Sequence, residues 1–456
     1  MIGQRSLHHM RGGGALYIRG TTTRIFQGYA EGSFFLGTFS RPRPRNKTST
    51  RFHSSSSSRS FTNTSRTDFS RVTPKSFVHF EVVLTRRRQH KFSGSYRYSS
   101  SEATRTSTML GRLSPLGKGN GNRTDLNVVS YNILSSSLAS PSYFLNCKPE
   151  NLDAETRFRK IVRVLKEQVK RNAVICLQEV SLKWSGKLHS FFQKEGYYFI
   201  SNNYTKGWQG YMGSAVAFPT KRFTADEVEI VRVSDTKSWP RSPPPSMLDK
   251  VSGTIYSMYQ SLFGGKKAQD HWELARNRVN TMIMLRLKCE NTGKAFCIGT
   301  YHMPCMFWAP KVMVIHAALA SQKIQDFAKD DHCILAGDFN FKPGESTYKL
   351  VTTGSLDKDD AYYPEPLQPE ESWKPELEYG MESAYASFTG SEPDFTNNAQ
   401  IRNDPPFVET LDYIFISPSL SVKEVVPLKS RDEVNGPLPN DDEPSDHILI
   451  GATFDL

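Results

Sequence analysis

Two β-sheets packed face to face with helices outside is the fold this sequence predicts, on three observations. From residue 125 onward, short apolar runs alternate with segments whose apolar residues recur at helical spacing. About nine of those runs read as strands, too many for one comfortably twisted sheet in about 330 residues. Several of the runs end on a carboxylate, an amide or an imidazole, as strands do when their ends meet in a shared cleft.

In chain order, 126–130 reads as the first strand. Asp153 then caps a helix whose Phe158, Ile161, Leu165 and Val169 fall on one face, and 174–177 is the second strand. This β-α-β unit sets Asn132 and Glu179 at the carboxyl ends of neighbouring strands. Further strands are expected at 198–201, 214–218, 280–287, 296–301, 334–337, 411–416 and 448–454. A helix over 311–327 joins two of them, with Val312, Ile315, Leu319 and Phe327 as its buried face. Two stretches break the pattern: 234–270, with Pro240, Pro243, Pro244, Pro245 and Gly264-Gly265, and the proline- and acid-rich 358–398. Both read as lids or disordered inserts.

Charge divides the chain at its leader. Residues 1–100 hold 18 of the 58 Lys+Arg and three acids (Glu31, Asp68, Glu81), a net +15 in a chain of +12, which leaves −3 for residues 101–456. The basic balance therefore belongs to the leader and is no argument for a nucleic-acid groove in the body. Local basic residues, Arg276, Arg278, Lys311, Lys342 and Lys349, lie close to the polar motifs in sequence. Residues 1–124 are read as a disordered leader and linker, and 125–456 as the catalytic domain. The leader is Arg-rich, Ser-rich and acid-poor, the composition of an organellar transit peptide, with the mitochondrion placed ahead of the plastid because 15 of its 18 basic residues are Arg. The alternative is a basic arm that touches RNA or a membrane surface, with a cytoplasmic protein as the result. No run of eighteen apolar residues predicts a transmembrane segment. The six cysteines show no C-x-x-C spacing, so a reduced compartment and no zinc site are expected.

The most informative stretch is Ala336-Gly337-Asp338-Phe339-Asn340, where an apolar run ends in a carboxylate and a carboxamide two positions apart. Residues i and i+2 project to one side of a strand, so Asp338 and Asn340 are expected to share a cleft and reach one water, with Gly337 allowing a sharp turn. Tyr131-Asn132, Gln178-Glu179, Tyr301-His302, Leu411-Asp412-Tyr413 and Ser445-Asp446-His447 add polar residues at comparable places. Ser445-Asp446-His447 is not a protease triad, because neighbours on a strand face opposite ways. No G-x-S-x-G elbow, P-loop or H-E-x-x-H pair is present.

In this order, the set resembles the endonuclease/exonuclease/phosphatase superfamily over about residues 125–456. Glu382-Ser383-Ala384-Tyr385, Phe395-Thr396-Asn397 and 410–416 are similar to its deadenylase branch, which includes nocturnin and the Ccr-Not nucleases. The resemblance implies a four-layer α/β sandwich of two packed mixed sheets flanked by helices. It also implies hydrolysis of phosphate esters with Mg²⁺, Mn²⁺ being the alternative ion. Two departures stand out: no leucine-rich repeats precede the body, and Tyr301-His302-Met303 replaces the commoner Thr-His-Leu.

Phosphodiester hydrolysis needs charge neutralisation, an activated water and a partner for the departing oxygen. Glu179 is the expected metal ligand, Asn132 lends its amide oxygen, and Asp446 completes the shell or orients its neighbours. Asp338 orients or deprotonates the water, and Asn340 holds the water or a phosphate oxygen. His447, cationic beside Asp412, meets the phosphate, and His302 stabilises charge on the transition state or leaving group. Asn280 is expected as a further substrate contact. The leading function is a 3′-to-5′ exoribonuclease or poly(A) deadenylase acting on single-stranded RNA. A nucleotide phosphatase or a phosphoinositide or sphingolipid phosphoesterase, taking a small nucleotide or lipid head group, is the alternative within the same chemistry. A non-catalytic binding protein is the alternative outside it.

Overall fold

The computed structural model describes residues 125–204, 210–239, 270–367, 372–434 and 436–456. All of them belong to one compact unit. The expected leader and most of 234–270 lie outside the described residues.

The strands are β1 (Asp125–Asn132), β2 (Val174–Gln178), β3 (Tyr197–Asn203), β4 (Gly213–Pro219), β5 (Phe223–Arg232), β6 (Thr281–Cys289), β7 (Ala295–His302), β8 (His332–Asp338), β9 (Glu382–Ser383), β10 (Asn397–Ala399), β11 (Phe407–Glu409), β12 (Asp412–Ile416), β13 (Val422–Val425) and β14 (Ile450–Asp455). The helices are α1 (Pro149–Leu152), α2 (Ala154–Lys170), α3 (Leu182–Lys194), α4 (His271–Arg276), α5 (Pro310–Ala328), α6 (Ser346–Thr353) and α7 (Ala384–Thr389). One six-stranded sheet runs β13-β14-β1-β2-β4-β3, the other β5-β6-β7-β8-β12-β9, and β10 pairs with β11 alone. Each large sheet is mixed, with one parallel pair at its centre: β1 with β2, joined by α2, and β7 with β8, joined by α5. This is the predicted sandwich of two packed sheets flanked by helices.

Period-two alternation builds the layers. Val128, Val174 and Cys176 face Ile283, Ile298, Ile334 and Ile414 across the space between the sheets. Their neighbours Val129, Ile175 and Leu177 turn outward beneath Ile161, Leu165, Trp184 and Leu188 of α2 and α3. Because helices cover the outer faces, the central strands are apolar on both sides and read as unbroken runs. Asp153 caps α2 as expected, accepting from the Thr156 amide at 2.8 Å. On the second sheet, α5 is buried along most of its length. His316 within it is a packing residue, bonded to the Tyr301 hydroxyl through Nδ1 (2.9 Å) and to the Ala275 carbonyl through Nε2 (3.0 Å), and burial pushes its pKa down to about 4.

The structure departs from the sequence expectation in four places. Edge strand β5 and the short β9, β10, β11 and β13 were not foreseen, because edge strands are half exposed and very short ones carry no period. The described part of 358–398 is packed rather than loose: Trp373 donates to Gln322 Oε1 at 2.9 Å, and Gln325 donates to the Tyr379 carbonyl at 2.9 Å. Ser445-Asp446-His447 is irregular chain rather than the approach to a strand at 448, since β14 begins at Ile450. Gly337 does not supply a turn. It lies inside β8 opposite Tyr301, and a Cβ there would sit 1.8 Å from the Tyr301 carbonyl oxygen.

Gly337→Ala is therefore expected to force β7 and β8 apart at the strand ends, lowering stability by about 1–3 kcal/mol or more on the scale of core overpacking. Thermal unfolding of the purified variant checks this, and an unchanged midpoint would contradict it.

Candidate active site

Both parallel pairs end at the same edge of the sandwich. In the first sheet Asn132 is in register with Gln178, which puts Glu179 one residue beyond. In the second, His302 is in register with Asp338. A buried polar bridge ties the two sheets just below: Gln178 Nε2 donates to Ser130 Oγ (3.1 Å) on one side and Thr300 Oγ1 (3.0 Å) on the other. The strand ends are thus fixed across the sandwich before any ligand is considered.

Asn132 lies at the centre. Its amide nitrogen is 2.9 Å from Asp338 Oδ2, 3.4 Å from Glu179 Oε1 and 3.5 Å from His447 Nε2. Its oxygen accepts from the Leu134 amide at 3.0 Å. The expected metal-ligand role for the Asn132 oxygen is not how the side chain stands: the group facing the acids is the NH₂, because the sharp turn into Leu134 (φ 45°) claims the oxygen. Glu179 (φ 59°) and Asn340 (φ 54°) are also left-handed, a conformation that costs a non-glycine residue on the order of 1–3 kcal/mol and clusters at functional sites. In Glu179 it turns Oε2 to the Ser135 amide, 2.9 Å away.

Asp338 Oδ1 accepts from the Asn340 amide at 3.0 Å, and its Oδ2 also stands 3.5 Å from His302 Nε2 and 3.7 Å from His447 Nε2. Asn340 does not project from an extended strand beside Asp338 as the i, i+2 argument supposed. Its positive φ redirects it, and its Nδ2 donates to the Met303 carbonyl at 2.9 Å, which pins the segment after His302. Asn280, just before β6, turns its Nδ2 to the His302 carbonyl at 2.9 Å and so holds the histidine strand.

His447 Nδ1 meets Asp412 Oδ2 at 2.7 Å, and the Thr396 hydroxyl donates to the same oxygen at 2.7 Å. Asp446 is buried beside them. Its carbonyl accepts from the Asn398 amide at 2.9 Å, and its charge acts on Glu179, His302 and His447.

Four carboxylates, Glu179, Asp338, Asp412 and Asp446, are each less than 5 % exposed here. Burial pushes Glu179 up from its ordinary range, with Asp446 adding to the effect and His302 opposing it. Burial likewise carries Asp338 up to about 7, against the pull of His447. The two histidines diverge. Burial lowers His302 despite Glu179, whereas in His447 burial is outweighed by Asp412 and Asp338, which raise it well above the usual imidazole value.

The donor set fits a hard divalent cation. It consists of carboxylate oxygens in a buried cleft, and one of them, Asp412 Oδ1, has no hydrogen-bond partner. Among the described residues, ligand atoms of Asp338, Asp412 and His447 lie within 4.8 Å of one another. That triad differs from the expected Asn132, Glu179 and Asp446. Within that triad the 2.7 Å bond from Asp412 occupies His447 Nδ1.

Sequence reasoning missed the residues that hold these groups. The Tyr204 hydroxyl meets His302 Nδ1 at 2.9 Å, although 98 positions separate them and nothing in the sequence links them. Thr396 lay inside a quoted motif without a role, and Ser445 Oγ donates to the Asn132 carbonyl at 2.7 Å. The basic residues near the motifs are largely engaged elsewhere: Lys311 pairs with Glu365 at 2.6 Å, Lys342 lies 3.8 Å from Glu345 and 3.9 Å from Glu409, and Arg278 Nε donates to the Leu274 carbonyl at 3.3 Å. Of three tryptophans that could stack a base, Trp184 is core, Trp308 is exposed at 41 %, and Trp208 lies outside the described residues.

Fold and cleft together define an α/β sandwich whose acids, amides and imidazoles gather where strand ends of two sheets meet. The description of the Endonuclease/Exonuclease/phosphatase family matches residues 302–447, from one site histidine to the other. It is 27% identical over 356 residues to carbon catabolite repressor protein 4 homolog 4 of Arabidopsis thaliana, covering 72% of this chain and 77% of that protein. Nocturnin of Drosophila melanogaster is 27% identical over 195 residues, covering 41% of this chain and 29% of its own length. The CCR4-Not complex 3′-5′-exoribonuclease subunit Ccr4 of Candida glabrata is 24% identical over 353 residues, covering 72% and 36%. The chain thus spans most of the first relative but only 29% and 36% of the other two. The crystal structure of ANGEL2, a 2′,3′-cyclic phosphatase, in complex with adenosine-2′,3′-vanadate shares the fold at a TM-score of 0.55 and 21% identity, covering 72% of this chain and 95% of that one.

A pH dependence follows. Asp338 and His447 have folded-state pKa values raised above their unfolded ones, so the stability they contribute is full below the unfolded values and is lost as pH rises through the folded ones. His302, lowered, costs stability only below about pH 6.5, its unfolded value. Chelator-treated protein should therefore lose stability as pH rises above about 6.5, and Mg²⁺, which competes with protons for Glu179, raised in its turn by burial, should raise the melting temperature more at pH 8 than at pH 6.5. Differential scanning fluorimetry with EDTA and with Mg²⁺ reads this, and an Mg²⁺ effect that is equal at both pH values would refute it.

Proposed function

We propose that this protein is a divalent-cation-dependent phosphodiester hydrolase that removes nucleotides from the 3′ end of single-stranded RNA, poly(A) among its substrates, with Mg²⁺ as the ion and Mn²⁺ able to replace it. The observation that carries the reading is the convergence of Glu179, Asp338 and His447 on the Asn132 amide. Similarity to a relative that is a 3′-5′-exoribonuclease subunit supports the RNA assignment.

Glu179 and Asp446 would hold the cation, which when bound supplies neutralisation of phosphate charge. Asp338, raised to about 7, is poised to take the proton of the attacking water at physiological pH, and the Asn132 and Asn340 N–H groups orient its two oxygens. His447, kept cationic by Asp412, presents Nε2 to a non-bridging phosphate oxygen. His302, with Nδ1 engaged by Tyr204, directs Nε2 into the same cleft toward the departing oxygen. The P–O bond to the leaving ribose 3′-oxygen breaks as the water oxygen bonds to phosphorus, and the water proton passes to Asp338. The leader is read as a mitochondrial transit peptide. A fusion of residues 1–124 to a fluorescent reporter should enter mitochondria and be shortened, and a cytosolic, uncut fusion would remove that assignment.

The decisive assay offers full-length protein with Mg²⁺ labelled oligo(A), mixed-sequence RNA, single-stranded DNA, a nucleotide phosphate ester and a phosphoinositide, each beside Glu179→Gln and His447→Ala. Shortening of RNA from its 3′ end that falls about 10²–10³-fold in either variant is the expected result. Turnover of only the small nucleotide or the lipid would replace RNA as substrate, and no turnover of any would leave a binding protein.

A further inference from the structure

Arg157, in the first turn of α2, is wholly buried. Its Nη2 donates to the Ile133 carbonyl at 2.7 Å and the Leu134 carbonyl at 2.5 Å, Nη1 reaches the Ser135 carbonyl at 3.4 Å, and Nε donates to the Pro444 carbonyl at 2.6 Å. The guanidinium also lies 5.1 Å from the centre of the Trp184 ring. Three consecutive carbonyls can converge on one cation because Leu134 is left-handed.

The carbonyls belong to the two loops that carry opposite sides of the site. In the loop after β1, the Ser135 amide binds Glu179 Oε2. In the loop before β14, Pro444 precedes Ser445, whose hydroxyl bonds the Asn132 carbonyl and accepts from the His447 amide at 3.3 Å. A continuous chain of contacts therefore runs from Glu179 through Ser135, Arg157 and Pro444 to His447.

We propose that Arg157 is a positioning residue for the active centre: its planar fork clamps these two loops together and sets the spacing between the Glu179 side and the His447 side of the cleft. The proposal rests on the hydrolase reading for its catalytic consequence, though not for its structural one. The fork is what matters. A lysine ammonium brings the same charge on a flexible stem as a point donor and does not span carbonyls on two loops. An alanine leaves four carbonyls short of a partner in a dry interior.

The test compares full-length wild type, Arg157→Lys and Arg157→Ala by thermal unfolding, steady-state kinetics on the RNA substrate and amide hydrogen exchange. Arg157→Lys should fold and keep KM within about threefold while kcat falls about 10²-fold, the scale of a small misplacement of reacting groups. Exchange should quicken at 133–135 and 444–447 and remain unchanged in the β-sheets. Guanidinium ion at low concentration should restore part of the activity of Arg157→Ala, and sodium at equal ionic strength should not. Wild-type kcat in Arg157→Lys with unaltered loop exchange overturns the proposal. So does exchange that quickens throughout the domain in both variants without guanidinium rescue, which would make Arg157 a general scaffold residue. If wild type itself turns over no phosphodiester, the hydrolase reading falls while the exchange pattern still decides the clamp.

Discussion

Negative charge held at close quarters with little exposure to solvent is the condition to which the rest of this protein answers. Four carboxylates less than 5 % exposed repel one another and lack solvation, a situation that raises the pKa of Glu179 and Asp338. The surroundings supply partial positive charge from several directions: the Asn132 amide, the backbone N–H groups of Ser135 and Asn340, the Thr396 hydroxyl and the His447 ring. Left-handed backbone at Leu134, Glu179 and Asn340 is how the chain aims those donors. The strain sits where the acids sit, and the Gln178 bridge between the sheets keeps them from drifting apart.

Much of this arrangement is readable from the residues themselves. Polar residues closing apolar runs mark strand ends, and a β-α-β unit places two such ends side by side, so the meeting of Asn132 with Glu179 and of His302 with Asp338 follows from local pattern and connectivity. The pairing of His447 with Asp412 is equally within reach of a charge argument. What the pattern does not carry is orientation. An asparagine offers an oxygen or an NH₂, and only the neighbouring Leu134 amide decides which end of Asn132 faces the acids. Alternation assumes extended backbone, so it fails at Asn340, where φ is positive. Tyr204 and Arg157 reach the site from far along the chain or from the buried side of a helix, where a tyrosine or an arginine gives no sign of its partner.

The two histidines show how one side-chain type is divided into two roles by environment. His302 meets a hydroxyl at Nδ1, and the carboxylates within its reach do not offset burial, so its neutral form is favoured. His447 meets a carboxylate at Nδ1 and a second at Nε2, so its cationic form survives burial. Around a phosphate, the first is suited to a neutral N–H donor and the second to a fixed positive charge, without any change in chemistry between them.

Each sheet contributes one helix-linked parallel pair, and each pair ends in one acid and one nitrogen-bearing side chain: Glu179 with Asn132, Asp338 with His302. Neither half encloses a cleft alone. The cleft therefore exists only along the seam, so a shift of one sheet against the other alters the separation of Glu179 and Asn132 from Asp338 and His302 all at once.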